Sequence, residues 1–175
     1  MPNVILYVAC SFDGYIARGD GNIEWLSMVE SGSQDYGYQK FYDSVDSLIM
    51  GRKTYQQVLS FGKWPYPGKP CYVLSRNIME SKRSDVIISS ADPATLMTRF
   101  SEKGSNRVWL VGGADTLKSF LNQELVHEII VSYIPFLLGD GIPLFQPGIP
   151  ERNLTLLSTE TFPNGLLQVH YRLED

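Results

Sequence analysis

The apolar run Val108-Trp109-Leu110-Val111 passes straight into Gly112-Gly113, and the residues that follow repeat apolar positions at Ala114, Leu117 and Leu121. That i, i+3, i+7 spacing predicts a helix. The segment therefore reads strand, glycine pair, helix, which is the building step of an alternating α/β sheet. Glycine has no Cβ, so an anion can come close to the main chain at such a junction. The helix start adds unpaired N–H donors and a partial positive charge. A tight turn without a ligand has the same sequence, so the other strand ends must decide between the two.

The rest of the chain continues the alternation. Val4–Ser11 reads as the first strand, ended by Asp13-Gly14 and a turn-rich loop through Gly19-Asp20-Gly21-Asn22. Tyr38, Phe41, Tyr42 and Val45 have helical spacing. Ser47–Met50 is a short buried strand, and Thr54–Leu59 is expected to be helical. Phe61–Pro70 reads as a Gly/Pro/aromatic loop. Cys71–Leu74 and Val86–Ile88 are strands. Asp92-Pro93 starts a helix, with Asp as N-cap and Pro in the first turn, and that helix ends at Gly104. Glu128–Ile134 is a β-branched strand, and Pro135–Pro150 reads as an extended loop. Thr155–Phe162 and Leu166–Leu173 flank Pro163-Asn164-Gly165, a hairpin turn. The expectation is one α/β domain over residues 1–175. Its sheet is mixed but mostly parallel, and a C-terminal antiparallel hairpin closes it.

Composition narrows the function. The chain has 175 residues, 43% hydrophobic and 19% charged, which suits a packed core. A net charge of −4 argues against a broad nucleic-acid face. The Val4–Cys10 run is too short to span a membrane, and no Lys or Arg precedes it as in a signal peptide. A cytoplasmic location is expected. Cys10 and Cys71 lie in strand-like runs as small buried apolar residues. With His127 and His170 far apart, no Cys/His grouping has metal-site spacing, so no metal is expected.

In an open α/β sheet, ligands bind at the carboxyl ends of the strands. One strand is followed there by Gly51-Arg52-Lys53-Thr54, another by Ser75-Arg76, and a third by Gly112-Gly113-Ala114-Asp115-Thr116. Three cations at one edge of an acidic chain fit a polyanion with several phosphates, although each could be an ordinary solvated charge. Ala9 and Cys10, small residues near the end of the first strand, would let a flat heterocycle lie against the backbone. Plain core packing explains them equally well.

For acid chemistry the candidates are Asp35 and Glu24. Asp35 lies three residues before Tyr38 and seven before Tyr42, in line with the apolar stripe of that helix. A carboxylate on such a stripe must be used or paired. It would suit proton delivery, or the grip of an N–H-rich ring. The other reading is an acidic first-turn residue favoured by the helix dipole. Glu24, beside Trp25, is the second candidate, and Asp13 reads as a turn residue.

Five ordered segments carry a resemblance. They are Ser11-Phe12-Asp13-Gly14-Tyr15-Ile16-Ala17, Ile49-Met50-Gly51-Arg52-Lys53-Thr54-Tyr55, Val73-Leu74-Ser75-Arg76, Val111-Gly112-Gly113-Ala114, and the long run from Pro135 to Phe145. Together they resemble the dihydrofolate-reductase-like fold, a three-layer α/β/α architecture. The closest likeness is to the reductase domain of riboflavin biosynthesis, the RibD C-terminal domain family, in free-standing form. The resemblance implies NADPH as cofactor. Gly51, Arg52, Lys53, Thr54, Leu74, Ser75 and Arg76 fall where the family holds the adenosine 2′-phosphate and ribose. Val111, Gly112, Gly113, Ala114, Asp115 and Thr116 fall at the pyrophosphate, and Ala9 and Ile16 beside the nicotinamide.

The resemblance also implies a cis peptide at Gly112–Gly113, a homodimer, and hydride transfer to a small heterocyclic substrate. In the riboflavin branch that substrate is a pyrimidine bearing a ribose phosphate. Asp35 stands sixteen residues before Gly51, the spacing of the folate-binding acid in many dihydrofolate reductases. The Gly21–Leu26 loop lacks the polar segment associated with sugar-phosphate binding, and no deaminase half is present in the chain. Dihydrofolate reduction and a non-catalytic nucleotide-binding module are the alternatives.

Overall fold

The computed structural model describes residues 1–30, 32–77 and 80–174. In chain order the elements are β1 (Asn3–Ser11), β2 (Tyr15–Ala17), a 3-10 turn (Glu24–Leu26), α1 (Ser27–Glu30), α2 (Tyr38–Ser44), β3 (Ser47–Gly51) and α3 (Arg52–Ser60). Then come β4 (Cys71–Leu74), β5 (Val86–Ser89), α4 (Pro93–Glu102), β6 (Arg107–Gly112), α5 (Ala114–Leu121), β7 (Glu128–Ile134), β8 (Ile142–Pro143), β9 (Leu154–Thr161) and β10 (Leu167–Leu173).

Eight strands form one sheet in the order β5-β4-β3-β6-β1-β7-β10-β9. The first six are parallel. The last two form the antiparallel hairpin expected around Asn164-Gly165.

The central strands explain the three layers. Side chains alternate across a strand, so each unbroken apolar run feeds two cores. Val4 and Leu6 of β1, Ile49 of β3 and Val108 and Leu110 of β6 pack on one face with Leu96 and Phe100 of α4 and Leu117 and Phe120 of α5. Ile5, Leu48, Met50 and Trp109 point the other way, against Phe41 and Tyr42 of α2 and Tyr55 and Val58 of α3. Trp109 is the centre of the second core. Phe41, Tyr42 and Tyr66 meet it edge-on at 5.4, 6.4 and 5.3 Å between ring centroids. Its indole N–H donates to the Tyr7 carbonyl at 3.0 Å.

Helix ends follow local chemistry. The Asp92 carboxylate accepts from the Thr95 N–H at 3.1 Å, and Pro93 occupies the first turn. Gly104, at φ +72°, lets the chain leave α4 in the left-handed region.

Three expectations are corrected. α3 begins at Arg52, two residues before the expected start, so both cations lie in its first turn. The 13–22 and 135–150 segments are not wholly loop. β2 and β8 pair as a separate antiparallel two-stranded sheet, each too short for its period to show in sequence. Gly141 makes that approach possible: at φ +157°, its Cβ would stand 2.3 Å from the Ala17 carbonyl oxygen. Lastly, Asp35 does not lie on the apolar stripe of α2. That helix starts at Tyr38 after Gly37 in the left-handed region, and Asp35 is exposed ahead of it.

Candidate functional site

The sheet order brings the sequence candidates together. β4, β3, β6 and β1 are neighbours, so Ser75-Arg76, Gly51–Thr54, Gly112–Thr116 and Ala9 follow one another along a single edge. β3 and β6 meet with Met50 opposite Gly112. The two strand-to-helix junctions interlock there. A Cβ on Gly51 would stand 2.6 Å from Thr116 Oγ1, and one on Gly113 would stand 3.2 Å from Thr54 Oγ1. Gly112 behaves differently. It is buried, at φ +133°, yet the space its Cβ would fill is empty. The Gly112–Gly113 peptide is cis, as the resemblance implied.

The helix starts at this edge are open. α3 has Gly51 as N-cap and α5 has Gly113, and neither receives a side-chain cap. Their first N–H groups therefore lack the partner that Asp92 supplies to α4. Arg52 and Lys53 sit in the first turn of α3, on the positive end of its dipole. A cation there is disfavoured by roughly 0.3–1 kcal/mol unless an anion is nearby. Arg52, Lys53 and Arg76 make no ion pair among the described residues.

The remaining cofactor candidates have more local roles. Leu74 and Val111 are half-buried at the ends of β4 and β6, and Ala114 is buried at the start of α5. The Ser75 hydroxyl donates to the Asn77 carbonyl at 3.0 Å and accepts from the Asn77 N–H, so it shapes the turn that presents Arg76. The Asp115 carboxylate accepts from Gln146 Nε2 at 2.7 Å. Ile16, on β2, is half-buried against the core.

Asp13 is more than a turn residue. Its carboxylate accepts from the Ser11 hydroxyl, from Leu138 N–H at 3.1 Å and from Gly139 N–H at 2.7 Å. It thereby ties the β1–β2 turn to the loop after β7. These bonds, the Ser11 one foremost, hold its carboxyl below the ordinary aspartate value.

A cavity of about 300 Å³ opens beside Ala9. Its walls include Leu26, Val29, Ile134 and Leu166, with Glu30 and Asp35 at the side. Asp35 is thus placed at this cavity even though its helical setting was misread. Its carboxylate accepts from Gly37 N–H at 3.0 Å and Gln39 N–H at 3.3 Å. Glu24 lies elsewhere, exposed in the 3-10 turn. It borders a second hollow of about 740 Å³ with Gln57, Ser60 and Phe61. Glu30 borders both hollows.

Sequence reasoning missed three polar residues of the cavity region. Tyr7 lies two residues before Ala9 on the same face of β1, and Ser132 pairs with Ala9 across β1 and β7. Gln168, opposite Ser132 on β10, places its Nε2 3.0 Å from Ser132 Oγ, 3.3 Å from the Tyr36 carbonyl and 3.4 Å from the Tyr7 hydroxyl. A lone Ser in EIIVSYI and a Gln opposite it were the available signals, since polar groups in buried strands need partners. Burial pushes the Tyr7 hydroxyl above its ordinary range, against the hydrogen bond from Gln168. Tyr36, at φ +55°, donates to the Val29 carbonyl and accepts from Asn164, each at 2.6 Å, which pins the segment that carries Asp35. Trp25 stacks on Phe136, and its buried indole N–H has no partner among the described residues.

Comparison with known proteins agrees with this fold. The family model of the RibD C-terminal domain matches residues 2–168. The Bacillus subtilis (strain 168) protein YwjB is 38% identical over 169 residues, covering 95% of each chain. YyaP of the same organism is 28% identical over 180 residues, covering 96% of this chain and 93% of its own. A solved structure from Shewanella sp. PV-4, a candidate riboflavin biosynthesis protein, superposes with a TM-score of 0.90 at 32% identity over the whole of both chains. A Thermotoga maritima diaminohydroxyphosphoribosylaminopyrimidine deaminase/5-amino-6-(5-phosphoribosylamino)uracil reductase shares the fold at a TM-score of 0.75 and 17% identity. That match covers 99% of this chain and 57% of the longer one.

Proposed function

We infer the function from one premise: this chain belongs to the RibD C-terminal domain family. On that premise we propose an NADPH-dependent reductase of the riboflavin-biosynthesis type, with residues 1–175 acting as one domain. NADPH would supply a hydride for a carbonyl- or imine-like carbon of a small heterocyclic substrate.

The observation that carries the reading is the edge itself. Three cations that make no ion pair among the described residues and two helix starts without a side-chain cap line up beside a buried glycine with empty space at its Cβ position. Neighbouring strands lie roughly 4.8 Å apart, so β4 to β1 span roughly 14 Å, which suits an extended dinucleotide better than a single phosphate. In this reading Arg52, Lys53 and Arg76 grip the adenosine 2′-phosphate. The α5 amides behind Gly112 and Gly113 hold the pyrophosphate. Ala9 and Ile16 leave room for the nicotinamide, and the cavity beside Ala9 holds the substrate. Asp35 orients that substrate or passes it a proton through water.

The working form is a homodimer in the cytoplasm. β9 lies at the edge of the sheet with Leu154, Leu156 and Leu157 exposed, a surface that a second copy would cover. Cys10 and Cys71 are free thiols, as a reducing compartment requires. Burial pushes each of them up to about 12, far from a reactive thiolate.

The test is a fluorescence titration of the protein with NADPH and with NADH. NADPH is expected to bind at least about tenfold more tightly, and Arg76→Ala to erode the difference. Equal affinity for the two cofactors would refute the cation assignment. Light scattering tests the dimer, with a monomer at micromolar concentration as the contrary result.

A further inference from the structure

We propose that the cavity beside Ala9 accepts an unphosphorylated heterocycle, neutral or cationic, and disfavours the 5′-phosphorylated form of the same compound. The proposal rests on the reductase reading only in taking this cavity as the substrate site, and it departs from the ribose-phosphate substrate of the riboflavin branch.

Its basis is the distribution of charge around the two hollows. They meet at Glu30 and carry three carboxylates, Glu24, Glu30 and Asp35. None of the described residues lining either hollow is Lys, Arg or His. Arg52, Lys53 and Arg76, the cations of this edge, line neither hollow. Phosphate sites are built from Arg, Lys or free helix N-terminal amides, and the described residues of the two linings offer neither kind of donor. α1 is a single turn of four residues. At the start of α2, the Gly37 and Gln39 N–H groups already bind the Asp35 carboxylate. A phosphate carrying nearly two negative charges would therefore enter a space of its own sign.

A flat ring meets better conditions. Ala9, Leu26, Val29 and Ile134 supply apolar walls. Ser132, 7% exposed, accepts from Gln168 Nε2 and keeps its own O–H to donate. The Tyr7 hydroxyl stands beside the same amide. The carboxylates at the side accept N–H groups, and a cationic ring strengthens those bonds. The cavity of about 300 Å³ has the volume of one or two rings.

The test uses a matched pair of probes, cytidine and cytidine 5′-monophosphate, titrated into the full chain by NMR with and without NADPH. Cytidine is expected to bind at least about tenfold more tightly than its phosphate in low salt. Added salt, which screens the repulsion, should narrow the ratio. Glu30→Gln should also narrow it, and the double variant Glu30→Gln/Asp35→Asn should narrow it further. Equal or tighter binding of the phosphate overturns the proposal. So does a ratio that neither variant moves, or an absence of binding by both probes. Failure of NADPH to bind, with the ratio intact, counts against the reductase reading and leaves the charge selection standing.

Discussion

At the amino ends of the strands, the Glu128 carboxylate accepts from Asn3 and from His170 Nε2 at 2.8 Å, with Arg107 at 3.9 Å. At the carboxyl ends of the same sheet, Arg52, Lys53 and Arg76 face no carboxylate among the described residues. The helix starts divide in a similar way. α4 is capped by Asp92 from within the protein, whereas α3 and α5 open onto the cationic edge without a side-chain cap. The chain can evidently build caps and ion pairs, because it does so elsewhere. On the proposed reading a ligand supplies the missing caps along this edge, and the positive charge there suits an anionic group.

Breaking the satisfied end should cost stability and nothing else. Glu128→Ala removes the acceptor of Asn3 and His170, and should lower unfolding free energy by about 2 kcal/mol in urea while NADPH affinity stays unchanged. The open end should give the opposite pattern. Arg76→Ala should weaken NADPH about tenfold, or about 1.4 kcal/mol, and leave the urea midpoint where it was. A loss of stability in Arg76→Ala, or a loss of cofactor binding in Glu128→Ala, would erase the distinction.

Asp92→Ala sharpens the comparison of helix starts. It should destabilise by about 1 kcal/mol without touching cofactor affinity, since the α4 cap serves only its own helix.

The smallest effect concerns Asp13. Its carboxyl is held below the ordinary aspartate value of 3.8, by Ser11 first and then by the Leu138 and Gly139 amides. A depressed folded pKa gives stability that is complete above that ordinary value and disappears as pH falls through the folded one. Thermal melts of Asp13→Asn should therefore show a slightly flatter acid limb below about pH 4 than the unaltered protein. Identical limbs would remove Asp13 as the staple between its two loops.

The cationic edge was legible in the sequence because it is built from local signals. A strand, a glycine and a cation in succession identify a strand end, and each junction can be read by itself. The layers were legible for the same reason, as Val4, Ile5 and Leu6 already alternate between the two cores. The cavity beside Ala9 was not. Tyr7, Ser132 and Gln168 come from three strands and meet only through register. The helical spacing of Tyr38, Phe41 and Tyr42 was read correctly, but it does not extend back to Asp35, because Gly37 in the left-handed region starts α2 at Tyr38. The β2–β8 pair was invisible for lack of length: two or three residues cannot display a period.

The most direct measurement of the central claim is a crystal structure of the chain with NADPH. It should place the adenosine 2′-phosphate among Arg52, Lys53 and Arg76, the pyrophosphate on the α5 amides behind Gly112 and Gly113, and the nicotinamide between Ala9 and Ile16, facing the acidic cavity. A cofactor bound away from this edge, or one whose phosphates leave Arg52 and Arg76 uncontacted, would contradict it.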